Sequence, residues 1–133
     1  IGWDVNSELI RIAKTRYPGG EFKVVDLLNE ARVLPTAQIG VMLGLLNFNL
    51  KNTYDNVNYS KRMLCQAFDA VTEHLIVDFL SAYKTPDYPT EDSVFYHDPS
   101  EMLAFSLELT QNVKLIHDYL PIPQKEFMLV LSK

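Results

Sequence analysis

Residues 113–133 read VKLIHDYLPIPQKEFMLVLSK, and this stretch decides the fold. VKLIHDYL and EFMLVLSK are both strand-like, rich in branched and aromatic side chains, and only PIPQK separates them. A parallel pair needs a crossover of a dozen or more residues, so these two runs must pair antiparallel.

Upstream, the grammar changes to alternating strand and helix. In DPSE, Asp98 is a helix cap, Pro99 takes the first helical position and Glu101 completes a capping box for a helix carrying Met102, Phe105 and Leu109. Before it, KTPDYPTED (84–92) is an exposed loop long enough to serve as a lid, with Tyr83, Tyr88, Pro86 and Pro89; a semi-rigid connection is the other reading. HLIVDFLS (74–81) reads as a strand, and Met63, Leu64, Ala67, Phe68 and Val71 form one stripe on a helix from about Tyr59 to Val71. The run from Ile39 to Leu46 is so continuously apolar that it predicts a strand covered on both faces.

EFKVVDLL (21–28) is a further short strand that finishes on Asp26. IGWDVNSELIRIAKTRYP (1–18) gives a strand ending at Asp4, an Asn6 cap, and a helix with Leu9, Ile12, Ala13 and Tyr17 at helical spacing before YPGG stops it. Alternation closed by a hairpin predicts an α/β fold: one Rossmann-like, doubly wound domain over 1–133, with a mostly parallel sheet ending in an antiparallel pair.

A 133-residue chain, 47% hydrophobic and 22% charged, suits a single small core. Its net charge of −5 argues against nucleic acid and anionic membranes as partners, since both select basic patches. The single cysteine, Cys65, has no internal disulfide partner and falls on the apolar helical stripe, which predicts a core thiol in a reducing, cytoplasmic setting. No apolar run approaches the roughly 18 residues of a membrane span. His74, His97 and His117 are scattered, with no HxxxH or CxxC spacing, so no metal site is expected.

Ligands of doubly wound folds sit beyond the carboxyl ends of the strands, where Asp4 and Asp26 fall. One carboxylate there suits the two hydroxyls of a ribose and the next the exocyclic amine of an adenine, which suggests an adenosine pocket. Both are equally readable as strand-end turn residues.

In this order, the segments IGWDVNSELIRIA, FKVVDLL, IGVMLGLLNFNL, HLIVDFLSAY, FYHDPSEMLAFSLEL and VKLIHDYLPIPQKEFMLVL resemble a class I S-adenosylmethionine-dependent methyltransferase over nearly the whole chain. The likeness is nearest to a group of bacterial members, of small-molecule type, whose fourth strand ends in a GIFN-like segment, here GLLNF. The closing hairpin separates this pattern from nicotinamide-binding enzymes, whose sheets continue in parallel.

The resemblance implies S-adenosyl-L-methionine as cofactor and a small-molecule methyl acceptor. It assigns Asp4 to the ribose hydroxyls, Val5 to the adenine face, and Asp26, with the backbone of Leu27, to the adenine amine. Gly44, Leu45 and Asn47 follow the strand beside which the family places methyl group and acceptor, and Asn47 is the foremost substrate-side candidate. Tyr96, His97 and His117 are candidate bases if the acceptor is an amine or hydroxyl; ordering the turn before the capped helix (His97) and the sheet edge (His117) are their structural readings.

The family's first strand and its Gly-rich loop would precede Ile1, so the chain is expected to be a C-terminal portion of such a domain. The alternative is a non-catalytic module that self-associates into a homo-oligomer through open sheet edges. A nicotinamide-dependent oxidoreductase has only the acid after a strand in its favour.

Overall fold

The computed structural model describes residues 1–29, 35–51, 53–86, 88–119 and 124–133. The centre of the hairpin connection, 120–123, and Asp87 of the proposed lid lie outside the described residues. Packing divides the chain into two compact units, 1–33 and 34–133.

In the first unit, β1 (Gly2–Asp4) and β2 (Phe22–Val24) pair in parallel, Asp4 opposite Val24, and α1 (Ser7–Arg16) connects them. The Asn6 carboxamide oxygen accepts the backbone N–H groups of Glu8 (2.9 Å) and Leu9 (3.3 Å), capping α1 as its sequence requires. Gly2 is where Phe22 crosses β1: a Cβ there would lie 2.7 Å from the ring, so no larger residue fits without displacing it.

The second unit is a four-stranded sheet in the order β3-β4-β6-β5, formed by β3 (Ala37–Met42), β4 (Val71–Leu80), β5 (Asn112–Ile116) and β6 (Glu126–Ser132). β3 and β4 are parallel, and β6 runs antiparallel to both of its neighbours, β4 and β5. The antiparallel pairing expected of the C-terminal runs is therefore present, with the last strand inserted between the two that precede it.

Leu75, Val77 and Phe79 of β4 alternate onto one face, with Phe127, Leu129 and Leu131 of β6 beside them, all buried. This face forms the core with α2 (Asn56–Asp69), which contributes Met63, Leu64, Ala67 and Phe68, and α3 (Pro99–Leu109), which contributes Met102. Phe79 stacks on Phe127 with ring centroids 5.1 Å apart.

Several boundaries differ from the sequence reading: β2 stops at Val24, short of Asp26, β5 stops at Ile116, and three more have a local reason. α2 begins at Asn56, three residues before the expected start near Tyr59, because Asp55 caps it by accepting the N–H of Asn58 at 2.7 Å, and it ends at Asp69, so Val71 opens β4 instead. β4 begins at Val71, so His74 lies within the strand, its Nδ1 2.9 Å from Ser132 Oγ on β6. β3 stops at Met42, and Ile39 and Val41 are 51% and 59% exposed, so this strand is not covered on both faces. β3 has only β4 as a neighbour among the described residues and contributes Met42 alone to the buried core.

The Asp98 cap of α3 follows its sequence signature: the carboxylate accepts the N–H groups of Ser100 (2.7 Å) and Glu101 (3.3 Å), with Pro99 in the first turn. Glu101 departs from the capping box and instead pairs with Lys61 of α2 at 2.9 Å. Cys65 is half-buried, and beside it Phe68, Asp69, Leu109, Thr110 and Lys133 line a depression of about 490 Å³. Burial pushes its thiol up from the ordinary value, with Asp69 adding to the effect.

Candidate functional site

In residues 1–33, β1 ends on a carboxylate, Asp4, and β2 is followed two residues after its end by another, Asp26. Asp4 is half-buried and its Oδ1 accepts the N–H of Asn6 at 2.7 Å, which leaves Oδ2 as the second acceptor. Asp26 follows β2; its Oδ1 accepts the N–H of Leu28 at 3.1 Å, and its Oδ2 accepts the Asn29 side-chain amide. Both acids thus order the turn that follows their strand, as short polar side chains do. Asp4 keeps more free acceptor capacity than Asp26. Val5 is exposed beyond Asp4, and Leu27 is half-buried beside Asp26.

In residues 34–133, the corresponding edge gathers the carboxyl ends of β3, β4 and β5. Gly44 follows β3 with φ +68°, a left-handed conformation that favours glycine, and no atom lies within 4 Å of where a Cβ would stand. Backbone here is open to close approach by a ligand. Leu45 is exposed next to it.

The turn after Gly44 is held from several sides. Gly44 N–H donates to Asp78 Oδ1 at 2.6 Å, and the Leu80 N–H donates to Asn47 Oδ1 at 2.9 Å. Phe95 N–H donates to the Asn47 carbonyl at 2.9 Å. Buried Asn56 donates to the Phe48 carbonyl at 2.7 Å and accepts the Leu50 N–H at 3.2 Å. Asn47 is therefore at the carboxyl edge, with its carboxamide oxygen committed to β4.

The three candidate bases occupy different surroundings. His97 is 1% exposed, wedged between Phe79 and Phe95 at centroid distances of 4.7 and 4.8 Å, with Nε2 2.9 Å from Ser60 Oγ. Its Nδ1 is buried without a hydrogen-bond partner among the described residues, and burial lowers its pKa to about 4, so the ring is neutral at pH 7. Tyr96 is half-buried; its hydroxyl accepts the Glu91 N–H at 3.2 Å, and Lys84 Nζ sits 4.6 Å from the ring centroid.

His117 follows β5 directly, its ring 5.9 Å from that of Tyr83. Burial, and then Lys125, lowers its pKa. Of the three, His117 is the one at the carboxyl edge; it is half-buried, edge-on to the Phe127 ring at 6.1 Å, and its Nε2 is buried with no hydrogen-bond partner among the described residues.

Asp78 and Glu126 were not singled out from the sequence. Asp78 shares a sheet face with Glu126, since β4 and β6 pair Asp78 with Met128 and Leu80 with Glu126. Burial, with Asp78 adding to it, raises the pKa of Glu126. Tyr119, two residues past His117, has a buried hydroxyl without a partner, and burial first, then Glu126 and Asp78, pushes it up to about 12. A sequence signal existed for Asp78: an acid alternating out of phase with Leu75, Val77 and Phe79 in an otherwise apolar strand.

Among the described residues no group of three or more His, Cys, Asp or Glu side chains is placed to hold a metal ion, and no helix is long and apolar enough to cross a membrane.

No family model matches the chain, and no curated protein matches it in sequence. Solved structures do. A methyltransferase dependent on S-adenosylmethionine from Methanosarcina mazei superposes with a TM-score of 0.67 at 14% identity, over 99% of this chain and 80% of its own. Magnesium protoporphyrin IX methyltransferase from Synechocystis PCC 6803, with S-adenosylhomocysteine bound, gives 0.69 at 11% identity, over 99% of this chain and 63% of its own. A methyltransferase from Thermotoga maritima, described as a possible histamine N-methyltransferase, gives 0.64 at 14%, over 99% and 72%. These superpositions show that the chain has the fold of S-adenosylmethionine-dependent methyltransferases.

Proposed function

We propose that this chain serves methyl transfer from S-adenosyl-L-methionine to a small-molecule acceptor, within one functional domain spanning residues 1–133. The observation that carries the reading is the chemistry at the carboxyl ends of the strands. Among the described residues Asp4 keeps one carboxylate oxygen without a partner, which supports a role toward ribose hydroxyls, and the open backbone of Gly44 supports close approach of a ligand. These residues fit the group.

When bound, the cofactor supplies an activated methyl carbon on a positively charged sulfonium, so the protein's task is alignment. Asp4 would take the ribose hydroxyls and Val5 the adenine face. Asp26 would meet the adenine amine; with Oδ1 and Oδ2 already engaged, it and the Leu27 backbone are the weaker contacts. Gly44 and Leu45 would border the methyl end. Asn47, with its oxygen fixed by Leu80, would present its amide nitrogen to the acceptor.

For an acceptor that must lose a proton, His117 is the favoured base, because Tyr96 is tied to Glu91 and Lys84 and His97 is enclosed. The acceptors named for the similar structures, magnesium protoporphyrin IX and histamine, belong to those proteins, and a shared fold serves many substrates. The single thiol and the net charge of −5 support a cytoplasmic protein without nucleic-acid partners.

Calorimetry with S-adenosylhomocysteine tests the reading: binding is expected, and no heat at millimolar ligand would end it. Asp4→Ala should weaken that binding about 10- to 150-fold, the effect of losing a hydrogen bond to a charged group. A second reading, self-association without catalysis, is favoured by exposed Ile39 and Val41 on a strand with one free edge. A monomer at high concentration in sedimentation would remove it.

A further inference from the structure

We propose that Asp78 makes the turn after β3 selective for a positively charged ligand, so that the chain favours the sulfonium form of the cofactor over its neutral thioether product. This rests on the methyl-transfer reading and goes beyond it, because it assigns the discrimination between substrate and product to one carboxylate.

The Asp78 carboxylate is one hydrogen bond from the open backbone of Gly44, at 2.6 Å from its nitrogen. A short bond of this kind, with an ionised acceptor, fixes the carboxylate in place. Among the described residues other than its chain neighbours, nothing stands within 4 Å of the Cβ direction of Gly44, so a ligand can come close to the residue whose nitrogen holds the Asp78 carboxylate. Glu126, diagonal to Asp78 on the same face, adds a second carboxyl group to that field.

Lysines lie on the neighbouring segments and keep their charge, and Lys114 of β5 is exposed on the same sheet face as Asp78. Lys125 Nζ donates to the Tyr119 carbonyl at 2.9 Å, and Lys84 lies over Tyr96 and donates to Thr90 at 3.3 Å. Among the described residues neither Asp78 nor Glu126 takes part in an ion pair. Glu126 and Asp78 both act on the Tyr119 hydroxyl, so their negative field reaches the groups at this edge, and a half-buried setting screens it less than open water does. After the methyl group leaves, the ligand is neutral at sulfur and this attraction is gone, which favours release of product.

The test compares three ligands that share the adenosyl and amino-acid parts: S-adenosylmethionine and sinefungin, both cationic near the reacting position, and S-adenosylhomocysteine, which is neutral there. Affinities are measured by calorimetry on the full chain and on Asp78→Asn, which keeps an acceptor oxygen for Gly44 but loses the charge. The preference for each cationic ligand over S-adenosylhomocysteine should fall on the order of tenfold, a typical size for removing one nearby charge in a partly screened site. Affinity for S-adenosylhomocysteine itself should change less than about twofold.

An unchanged preference, or an equal loss for all three ligands, overturns the inference; the second result would mean that Asp78 only shapes the turn. In both cases binding of S-adenosylhomocysteine by the wild type leaves the methyl-transfer reading standing. If the wild type binds none of the three, both fall together. Should Asp78→Asn not fold, Asp78→Ser gives the same ratio with a smaller neutral acceptor.

Discussion

β3 and β4 are neighbours in one sheet and read almost alike, Ala37–Met42 followed by further apolar residues against Val71–Leu80, yet they live in different environments. Leu75, Val77 and Phe79 of β4 are buried, whereas Ile39 and Val41 of β3 are more than half exposed. Hydrogen-bonded neighbours make the difference: β4 lies between β3 and β6, and β3 has β4 on one side only among the described residues. An apolar run reports that a strand is suited to burial; its place in the sheet decides whether the burial happens.

The largest test of this contrast is Phe79→Ala. Phe79 is fully buried and packs its ring against both Phe127 and His97, so truncation should cost about 3–5 kcal/mol, seen as a lower urea midpoint at unchanged slope. A loss below about 1 kcal/mol would mean that the β4 core is far looser than its packing implies.

The next effect depends on pH and contrasts His97, enclosed at the end of β4, with His117 at the edge. The folded-state pKa of His97, about 4, lies below its ordinary value of 6.5, so below pH 6.5 the unfolded chain takes up a proton that the folded chain refuses. Stability contributed by the neutral ring is present above pH 6.5 and is lost as pH falls toward 4. Relative to His97→Leu, which has nothing to titrate there, the wild type should lose about 3 kcal/mol between pH 7 and pH 4. Parallel pH profiles for the two proteins would show that the ring is hydrated or charged in the fold.

These comparisons also separate what the sequence displayed from what it concealed. The caps at Asn6 and Asp98, the strand-end positions of Asp4 and Asp26, and the antiparallel C-terminal pair were legible because each depends on a few adjacent residues. The start of α2 was legible in principle, through Asp55, but the apolar stripe drew attention further along. The exposure of β3 was hidden, since strand order is a property of the whole sheet.

The role of Asp78 was hidden for a similar reason: its partner, Gly44, is 34 residues away in sequence and meets it only through the parallel pairing of β3 with β4. Asn47 was picked out as a ligand contact, and its bond to Leu80, which fixes half of its carboxamide, required the same pairing. Local chemistry was readable; the partners that tune it were not.

A smaller effect belongs to the α3 cap. Asp98→Ala removes the acceptor for two N–H groups in the first turn and should cost about 1 kcal/mol by denaturant titration. Asn in its place should restore most of this, because the capping oxygen remains.

The smallest effect returns to β3. Val41→Thr changes a side chain that is 59% exposed, keeps its branched shape, and should alter stability by less than about 0.5 kcal/mol. Measured at several protein concentrations, it also examines the self-association reading. If Val41 is open to water, wild type and variant should show the same small difference at every concentration. If copies of the chain cover β3 in solution, the wild type should gain stability with concentration and the threonine variant should gain less, because its hydroxyl would be buried in an apolar contact. The contrast between β3 and β4 would then hold for the isolated chain and narrow on assembly.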